Sequence, residues 1–199
     1  MEQVGAPRFS VLAVCHANLC RSPLLEHLLR EEIQRRELPW QVSSRGTHAV
    51  AGRPMHPHAQ RVLRGRGHDV ADWRGARLTA DEVAGADLII IATQGEREIV
   101  SRLSPAAGGR THTLFQLAHL SAAARSPQAR PAEDFGPWLV ALATRTRSSV
   151  QPLPPSSRDL ADPMGRRYAA FVNCATRIER ALDQVVAPVP RQHWDWLSA

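Results

Sequence analysis

The sequence predicts an α/β domain: a doubly wound, four-stranded parallel sheet with helices on both faces. Apolar runs of strand length alternate along the first half of the chain with segments of helical periodicity, which is typical of strands joined by crossover helices. The clearest run, residues 87–93 (DLIIIAT), is apolar through its centre, as expected for a strand buried on both faces. A length of 199 residues is consistent with one such domain.

The first strand and the first helix are separated by a short loop. Residues 9–14 (FSVLAV) predict a buried strand, and Pro23 suits the first turn of a helix, where its missing N–H costs nothing. Leucines and an isoleucine then recur at helical spacing through residues 24–36. A strand, loop and helix in this order direct backbone N–H groups and the positive end of the helix dipole at one point, which predicts an anion site.

Three side chains give this loop its chemistry. Cys15 stands at the strand end, where the helix terminus and a nearby cation favour a thiolate. Arg21 offers a planar fork of donors that matches phosphate oxygens, and the Ser22 hydroxyl can donate to the Cys15 sulfur. An inert buried cysteine and a solvated arginine are the alternative, but the order of strand, C-x5-R-S-P and amphipathic helix favours a functional loop.

The stretch from Cys15 to Pro23 resembles the phosphate loop of the low-molecular-weight protein tyrosine phosphatase family, which reads C-x-G-N-x-C-R-S-P. Alanine stands here where the family has glycine. The resemblance implies that Cys15 is the nucleophile, that Arg21 holds the phosphate, and that the rest of the loop surrounds it, namely His16, Ala17, Asn18, Leu19, Cys20 and Ser22. It also makes a reversible Cys15–Cys20 disulfide plausible as oxidative protection.

Residues 40–44 (WQVSS) predict the second strand. Ser44 falls where the family has a serine that bonds the loop asparagine, so Asn18 and Ser44 are candidates for support of the loop. The alternative is that Ser44 is an ordinary serine at a strand end and that Asn18 only forms a turn.

The middle of the chain completes the alternation. We predict a helix over 58–67 with Gly65 or Gly67 as its C-cap, a short helix after the N-cap Thr79, the third strand at 87–93, a helix over 95–103 and a fourth strand at 111–115. In a doubly wound sheet, ligands bind beyond the carboxyl ends of the strands, which is where the Cys15 loop falls.

The domain is predicted to span residues 9–187, after a disordered lead-in at 1–8 and before a tail at 188–199 that carries Trp194 and Trp196. An insert at about 116–158 is the least readable segment. It offers a helical piece at 115–124, a Pro-rich linker at 126–137 and a second helical piece at 138–147. One hypothesis is that the extra helix packs on the rim of the site or shapes a partner surface.

A carboxylic acid is needed as well, because the leaving oxygen of a phosphate ester requires a proton donor. An Asp-Pro pair just before the last helix is the family's general-acid motif, which gives Asp162 that role and lets Pro163 stiffen its loop. Asp159 is the structural alternative. The final helix is predicted over residues 166–186, with Cys174 in its apolar stripe.

Several positions depart from the family. If the backbone at Ala17 must be left-handed, alanine destabilises the fold by about 1–2 kcal/mol relative to glycine. Trp73 falls about where many members have a histidine that supports the loop, and Gln94 where they have an aspartate. The aromatic walls that hold a phenol ring look absent, since Met164 and Val50 occupy those positions.

We therefore expect a phosphatase that hydrolyses phosphate monoesters, protein phosphotyrosine first among them, through a phosphocysteine on Cys15 with Asp162 as general acid. Alternatives are a non-catalytic phosphoryl-binding protein and a phosphatase for small-molecule phosphate esters. Arsenate reduction on the same fold is disfavoured, because it needs resolving cysteines and the chain has none between Cys20 and Cys174.

The amino-acid composition argues against a secreted, a membrane-spanning or a nucleic-acid-binding protein. Three cysteines fit a reducing cytoplasm, and no apolar run reaches membrane-spanning length. All 25 basic residues are arginine, which indicates a GC-rich bacterial genome, and the net charge of +6 lacks the clustering of a nucleic-acid site. We expect no metal and no cofactor. The expected partners are a phosphorylated protein or a small phosphate ester, with a tyrosine kinase as a further candidate.

Overall fold

The computed structural model describes residues 9–123 and 131–190. Four parallel strands pair in the order β2-β1-β3-β4, and their bounds are β1 Phe9–Cys15, β2 Trp40–Gly46, β3 Leu88–Ile91 and β4 Thr111–Thr113. Within the described ranges the helices are α1 Arg21–Arg35, α2 Pro57–Arg64, α3 Ala80–Gly85, α4 Gln94–Leu103, α5 Leu114–Ala123, α6 Ala132–Thr146, α7 Pro155–Arg158 and α8 Tyr168–Val186. A 3₁₀ turn, Pro105–Arg110, precedes β4. The predicted fold class is confirmed.

The alternation of side chains along β1 divides the core between the two faces of the sheet. Phe9, Val11 and Ala13 pack on one face in the larger core, which is built with α1, α2, α5, α6 and α8. Leu12 and Val14 pack on the other face with residues of β3, α3 and α4. β1 therefore lies in the centre of the sheet, and its last residue, Cys15, is at the edge where the strand order reverses.

Capping shortens the third strand relative to the prediction. Thr93 and Glu96 form a reciprocal capping box that starts α4, as Thr79 and Glu82 do for α3. Asp87, at the other end, accepts hydrogen bonds from the backbone and side chain of Ser10. Because these polar residues form a helix cap and side-chain contacts at the two ends of the predicted strand, β3 extends only from Leu88 to Ile91.

The insert differs most from its prediction. Residues 132–137 were expected in a Pro-rich linker, but α6 begins at Ala132 and continues through Pro137. The helix survives the proline because its apolar face is buried: the Phe135 ring stacks on Trp40 at 5.5 Å between centroids. At Gly136, an added Cβ would lie 2.5 Å from the Phe9 ring, so only glycine allows this approach.

Phe9 and Trp40 are the first residues of β1 and β2, at the end of the sheet opposite the Cys15 loop. The hypothesis that the extra helix packs on the rim of the site is therefore wrong for the first turns of α6. The predicted lead-in at 1–8, part of the predicted linker, and Trp194 and Trp196 lie outside the described residues. Among the residues that are described, no helix is both long and apolar enough to span a membrane.

Candidate active site

The loop between β1 and α1 closes around the Cys15 thiol, which is only 2% exposed. The end of β2 holds this loop, because Thr47 N–H donates to the Cys15 carbonyl at 3.0 Å and His48 N–H donates to the His16 carbonyl at 2.8 Å. Gly46 makes this approach possible: a Cβ there would lie 2.7 Å from the Asn18 nitrogen. Gly46 is not among the site residues that the sequence predicts.

Asn18 is the residue that gives the loop its turn. Its backbone is left-handed, with φ of 53°, and its buried side chain donates to the Ser22 and Ser44 hydroxyls, each at 2.9 Å. The side-chain oxygen of Asn18, Oδ1, accepts from Ala76 N–H at 2.9 Å. Ala17 does not have a positive φ, so the cost considered for alanine at this position does not arise.

The Ser22 hydroxyl lies 3.0 Å from the Cys15 sulfur. Because the Ser22 oxygen already accepts an N–H from Asn18, its own proton is available for the sulfur or for the Arg45 carbonyl at 3.3 Å. A hydroxyl proton at this distance stabilises a thiolate and the sulfur as a leaving group.

Two residues extend this hydrogen-bond network beyond the predicted set. The buried Glu26 carboxylate accepts the Ser44 hydroxyl at 2.5 Å and the Trp73 indole N–H at 3.3 Å. Trp73 thus supports the loop through Glu26 and Ser44, at the position where the family often has histidine. A signal for Glu26 was present in the sequence, since it follows Ser22 by four residues and shares its helix face.

We expect Trp73→Phe to lower the free energy of unfolding by about 1 kcal/mol, because it removes the indole donor to a buried carboxylate. We also expect kcat/KM to fall by about 2- to 10-fold, since up to about 1.4 kcal/mol of transition-state stabilisation depends on the loop position. Urea unfolding and steady-state phosphate release measure the two effects.

Trp40→Phe is the matched control, because the Trp40 indole N–H has no hydrogen-bond partner among the described residues and lies at the far end of β2. It should lose stability through packing but keep its kcat/KM. An unchanged kcat/KM in Trp73→Phe would show that the indole bond does not position the loop.

Asp162 comes to the loop from the far end of the chain. An Arg21 guanidinium nitrogen lies 2.7 Å from the Asp162 carboxylate, a contact between residues 141 positions apart. The Arg21 side chain is only 8% exposed and that of Asp162 is 49% exposed, so the arginine lies inside the loop and the acid at its mouth. The other Asp162 oxygen accepts Met164 N–H at 3.0 Å, which orients the carboxylate.

The segment that carries Asp162 is fixed to the end of β3. Asp159 accepts the Gln94 N–H at 3.0 Å at the start of α4, and Leu160 N–H donates to the Ala92 carbonyl at 2.8 Å. Asp159 therefore anchors the acid loop, and Gln94 is an anchor point through its backbone. Of the two aspartates, only Asp162 contacts Arg21 in the described residues.

The other two cysteines are buried free thiols. Burial, with a smaller contribution from Cys15, raises the pKa of Cys20 well above its ordinary value. Burial also raises the pKa of Cys174, to about 12. Both are protonated at neutral pH, which leaves Cys15 as the loop cysteine next to a hydroxyl donor.

Two exposed histidines lie at the rim of the loop, in addition to Val50 and Met164, which stand where the family has its aromatic walls. The exposed rings of His16 and His48 stack at 4.4 Å between centroids, and His48 Nδ1 lies 3.0 Å from the Thr47 hydroxyl. Val50 is 63% exposed and Met164 is 42% exposed. The stacked pair presents a flat polar surface beside Cys15, which single positions in the sequence did not indicate.

A family model described as low molecular weight phosphotyrosine protein phosphatase matches residues 10–129. The match includes the whole Cys15 loop and covers more than half of the chain. Asp162 lies beyond it.

Three curated relatives match between 54% and 92% of this chain. A probable low molecular weight protein-tyrosine-phosphatase, EpsP of Ralstonia nicotianae, is 28% identical over 183 residues, which are 92% of this chain and 94% of that protein. The low molecular weight protein-tyrosine-phosphatase Etp of Escherichia coli is 33% identical over 108 residues, 54% of this chain and 70% of that protein. A protein-arginine-phosphatase of Geobacillus stearothermophilus is 31% identical over 109 residues, again 54% and 70%.

Solved structures share the fold. The tyrosine phosphatase AmsI of Erwinia amylovora superposes with a TM-score of 0.65 at 23% identity, over 92% of this chain and 93% of that one. The YwlE arginine phosphatase of Geobacillus stearothermophilus superposes with a TM-score of 0.65 at 23% identity, over 90% and 91%.

Proposed function

The chain belongs to the low molecular weight phosphotyrosine protein phosphatase family, and we propose that its reaction runs through a phosphocysteine on Cys15 with Asp162 as general acid. The enzyme is a cysteine-based phosphatase. The observation that carries the residue assignment is the 2.7 Å contact of Arg21 with Asp162 at the mouth of the Cys15 loop.

In the first step, the Cys15 sulfur attacks phosphorus in line, the S–P bond forms and the bond to the leaving oxygen breaks. Asp162 gives its proton to that oxygen, while Arg21 and the loop N–H groups hold the equatorial oxygens. The Arg21 fork must exchange Asp162 for the phosphate, which frees the carboxyl for the leaving group.

In the second step, water attacks the phosphocysteine and gives a proton to Asp162, and inorganic phosphate and the Cys15 thiolate leave. The Ser22 hydroxyl, 3.0 Å from the sulfur, stabilises the departing thiolate. Asn18, Ser44 and Glu26 keep that hydroxyl in place through the hydrogen bonds that join them.

We propose protein phosphotyrosine as the substrate, in accord with the family and with the named activities of the EpsP and Etp relatives. The stacked His16 and His48 rings offer a flat surface at the rim for the phenol ring, in place of aromatic walls.

A substrate panel tests this assignment. It compares kcat/KM for peptides that carry phosphotyrosine, phosphoserine or phosphoarginine, and for a sugar phosphate. Phosphoarginine is included because one relative is named a protein-arginine-phosphatase. We expect the phosphotyrosine peptide to give the highest value. A preference for the sugar phosphate or for phosphoarginine would contradict the substrate assignment and leave the Cys15 mechanism intact.

A further inference from the structure

A cavity separate from the Cys15 loop lies beside the acid loop, between α4, α5 and the chain that follows α6. It has a volume of about 320 Å³, and its wall includes three arginines, Arg97, Arg147 and Arg158. Two of these come from the segment that follows α6, and Arg158 directly precedes the anchor Asp159. The catalytic loop does not contribute to this cavity.

The three arginines have no carboxylate within ion-pair distance in the described parts of the chain. Within the described residues, Arg97 donates only to neutral oxygens, those of the Gln94 side chain at 2.9 Å and the Gln116 side chain at 3.4 Å. Arg158 donates to the Leu153 carbonyl at 2.5 Å. By contrast, Arg21, Arg30, Arg35, Arg36, Arg45 and Arg66 are all paired with acids.

Electrostatics in this region are consistent with uncompensated positive charge. Burial, followed by the charge of Arg147, lowers the pKa of Arg97. The buried His112 on β4 has its pKa lowered to about 4, mainly by burial and then by Arg147 and Arg97. Cations held together in a partly desolvated place repel one another, and an anion between them removes this cost.

The lining also fits an organic group. Leu120, Val150 and Leu153 also line the cavity and give it apolar surface. The volume is at the lower end of the ~300–1,000 Å³ range of small-molecule sites, and guanidinium forks match phosphate oxygens bidentately. We propose that this cavity binds a small organic phosphate, held by Arg97, Arg147 and Arg158, at a site separate from the Cys15 loop.

Binding of a phosphate in this cavity would affect the position of the acid loop. Gln94, whose side chain holds Arg97, also donates its backbone N–H to Asp159, and Asp159 anchors the segment that carries Asp162. Two hydrogen bonds, from Arg97 to Gln94 and from Gln94 to Asp159, therefore connect the cavity to the segment that carries the general acid.

Isothermal titration with phenylphosphonate tests the proposal, because this probe joins a phosphonate to an apolar ring and cannot be hydrolysed to phosphate. The titration uses Arg21→Ala as the parent, so that the catalytic loop binds anions weakly. We expect one site per chain, weakened at least 10-fold by Arg97→Met and also weakened by Arg147→Met, whose side chain is exposed at the end of α6. Inorganic phosphate should bind more weakly than phenylphosphonate.

Arg102→Met is the matched control, since Arg102 is on the same helix, α4, and its side chain is 69% exposed and outside the cavity. It changes the net charge equally and should leave the affinity unchanged. Arg97→Met should also keep or raise the melting temperature without ligand, because it removes a half-buried cation that has no anionic partner among residues 9–123 and 131–190.

Absence of binding, an equal loss in Arg102→Met, or affinity unchanged by both Arg97→Met and Arg147→Met would each overturn the proposal. Cys15 takes no part in this titration. An inactive wild-type enzyme would therefore contradict the proposed function without altering this result.

Discussion

Replacement of Cys15 by serine is expected to abolish phosphate release from an aryl phosphate, with a loss in kcat of roughly 10⁴–10⁶. A serine hydroxyl at this place has no general base to activate it, since within the described residues the Cys15 side chain has a hydrogen bond only to the Ser22 hydroxyl. The loop amides and Arg21 are unaffected by the change, so the variant should still bind phosphate. Steady-state phosphate release and phosphate titration measure the two properties.

Cys20→Ser is the matched control, because it makes the same substitution in the same loop. Burial keeps the Cys20 thiol protonated, so it is not expected to act as nucleophile, and the variant should retain turnover. Turnover by Cys15→Ser close to that of the wild type would place the nucleophile elsewhere. A folded wild-type protein as inert as Cys15→Ser would favour the alternative of a phosphoryl-binding protein without catalysis.

Replacement of Asp162 by asparagine should slow hydrolysis of phenyl phosphate by about 10²–10⁴, because phenol is a poor leaving group without a proton donor. The loss in kcat should be much smaller for p-nitrophenyl phosphate, because the departure of its leaving group depends less on protonation. The measurement is kcat for both esters in wild type and variant. We expect KM to fall or stay the same, since Asp162 competes with phosphate for Arg21.

Asp159→Asn controls for disturbance of the acid loop. Asparagine keeps a side-chain oxygen that can accept the Gln94 N–H, so this variant should retain activity on both esters. An equal loss on both esters in Asp162→Asn would show that Asp162 acts by holding Arg21 and not by transferring a proton.

The first strand, the loop and the first helix were predictable because their causes are local. The spacing of apolar residues defines β1 and α1, and Cys15 at the end of β1 is only eight positions, counted inclusively, from Ser22 in the first turn of α1. The alternation of strands and helices was sufficient to predict the sheet. The Asp-Pro pair was enough to nominate Asp162, although nothing local showed that it reaches Arg21.

Local rules failed where burial outweighed them. Pro137 indicated a linker, but α6 passes through it because Phe135 stacks on Trp40, which is distant in sequence. The third strand was predicted too long, because residues next to it in sequence are used for caps and for a contact with Ser10.

The sequence by itself determined the residues on which the proposed chemistry depends: a cysteine at a strand end, an arginine at a helix start and an acid before the last helix. Only the tertiary structure decided how these groups are held. Glu26 and Trp73 behind the loop, Gly46 against Asn18, and Arg97, Arg147 and Arg158 in one cavity are contacts between distant segments. Such contacts depend on how the elements pack, which residue spacing along the chain does not encode.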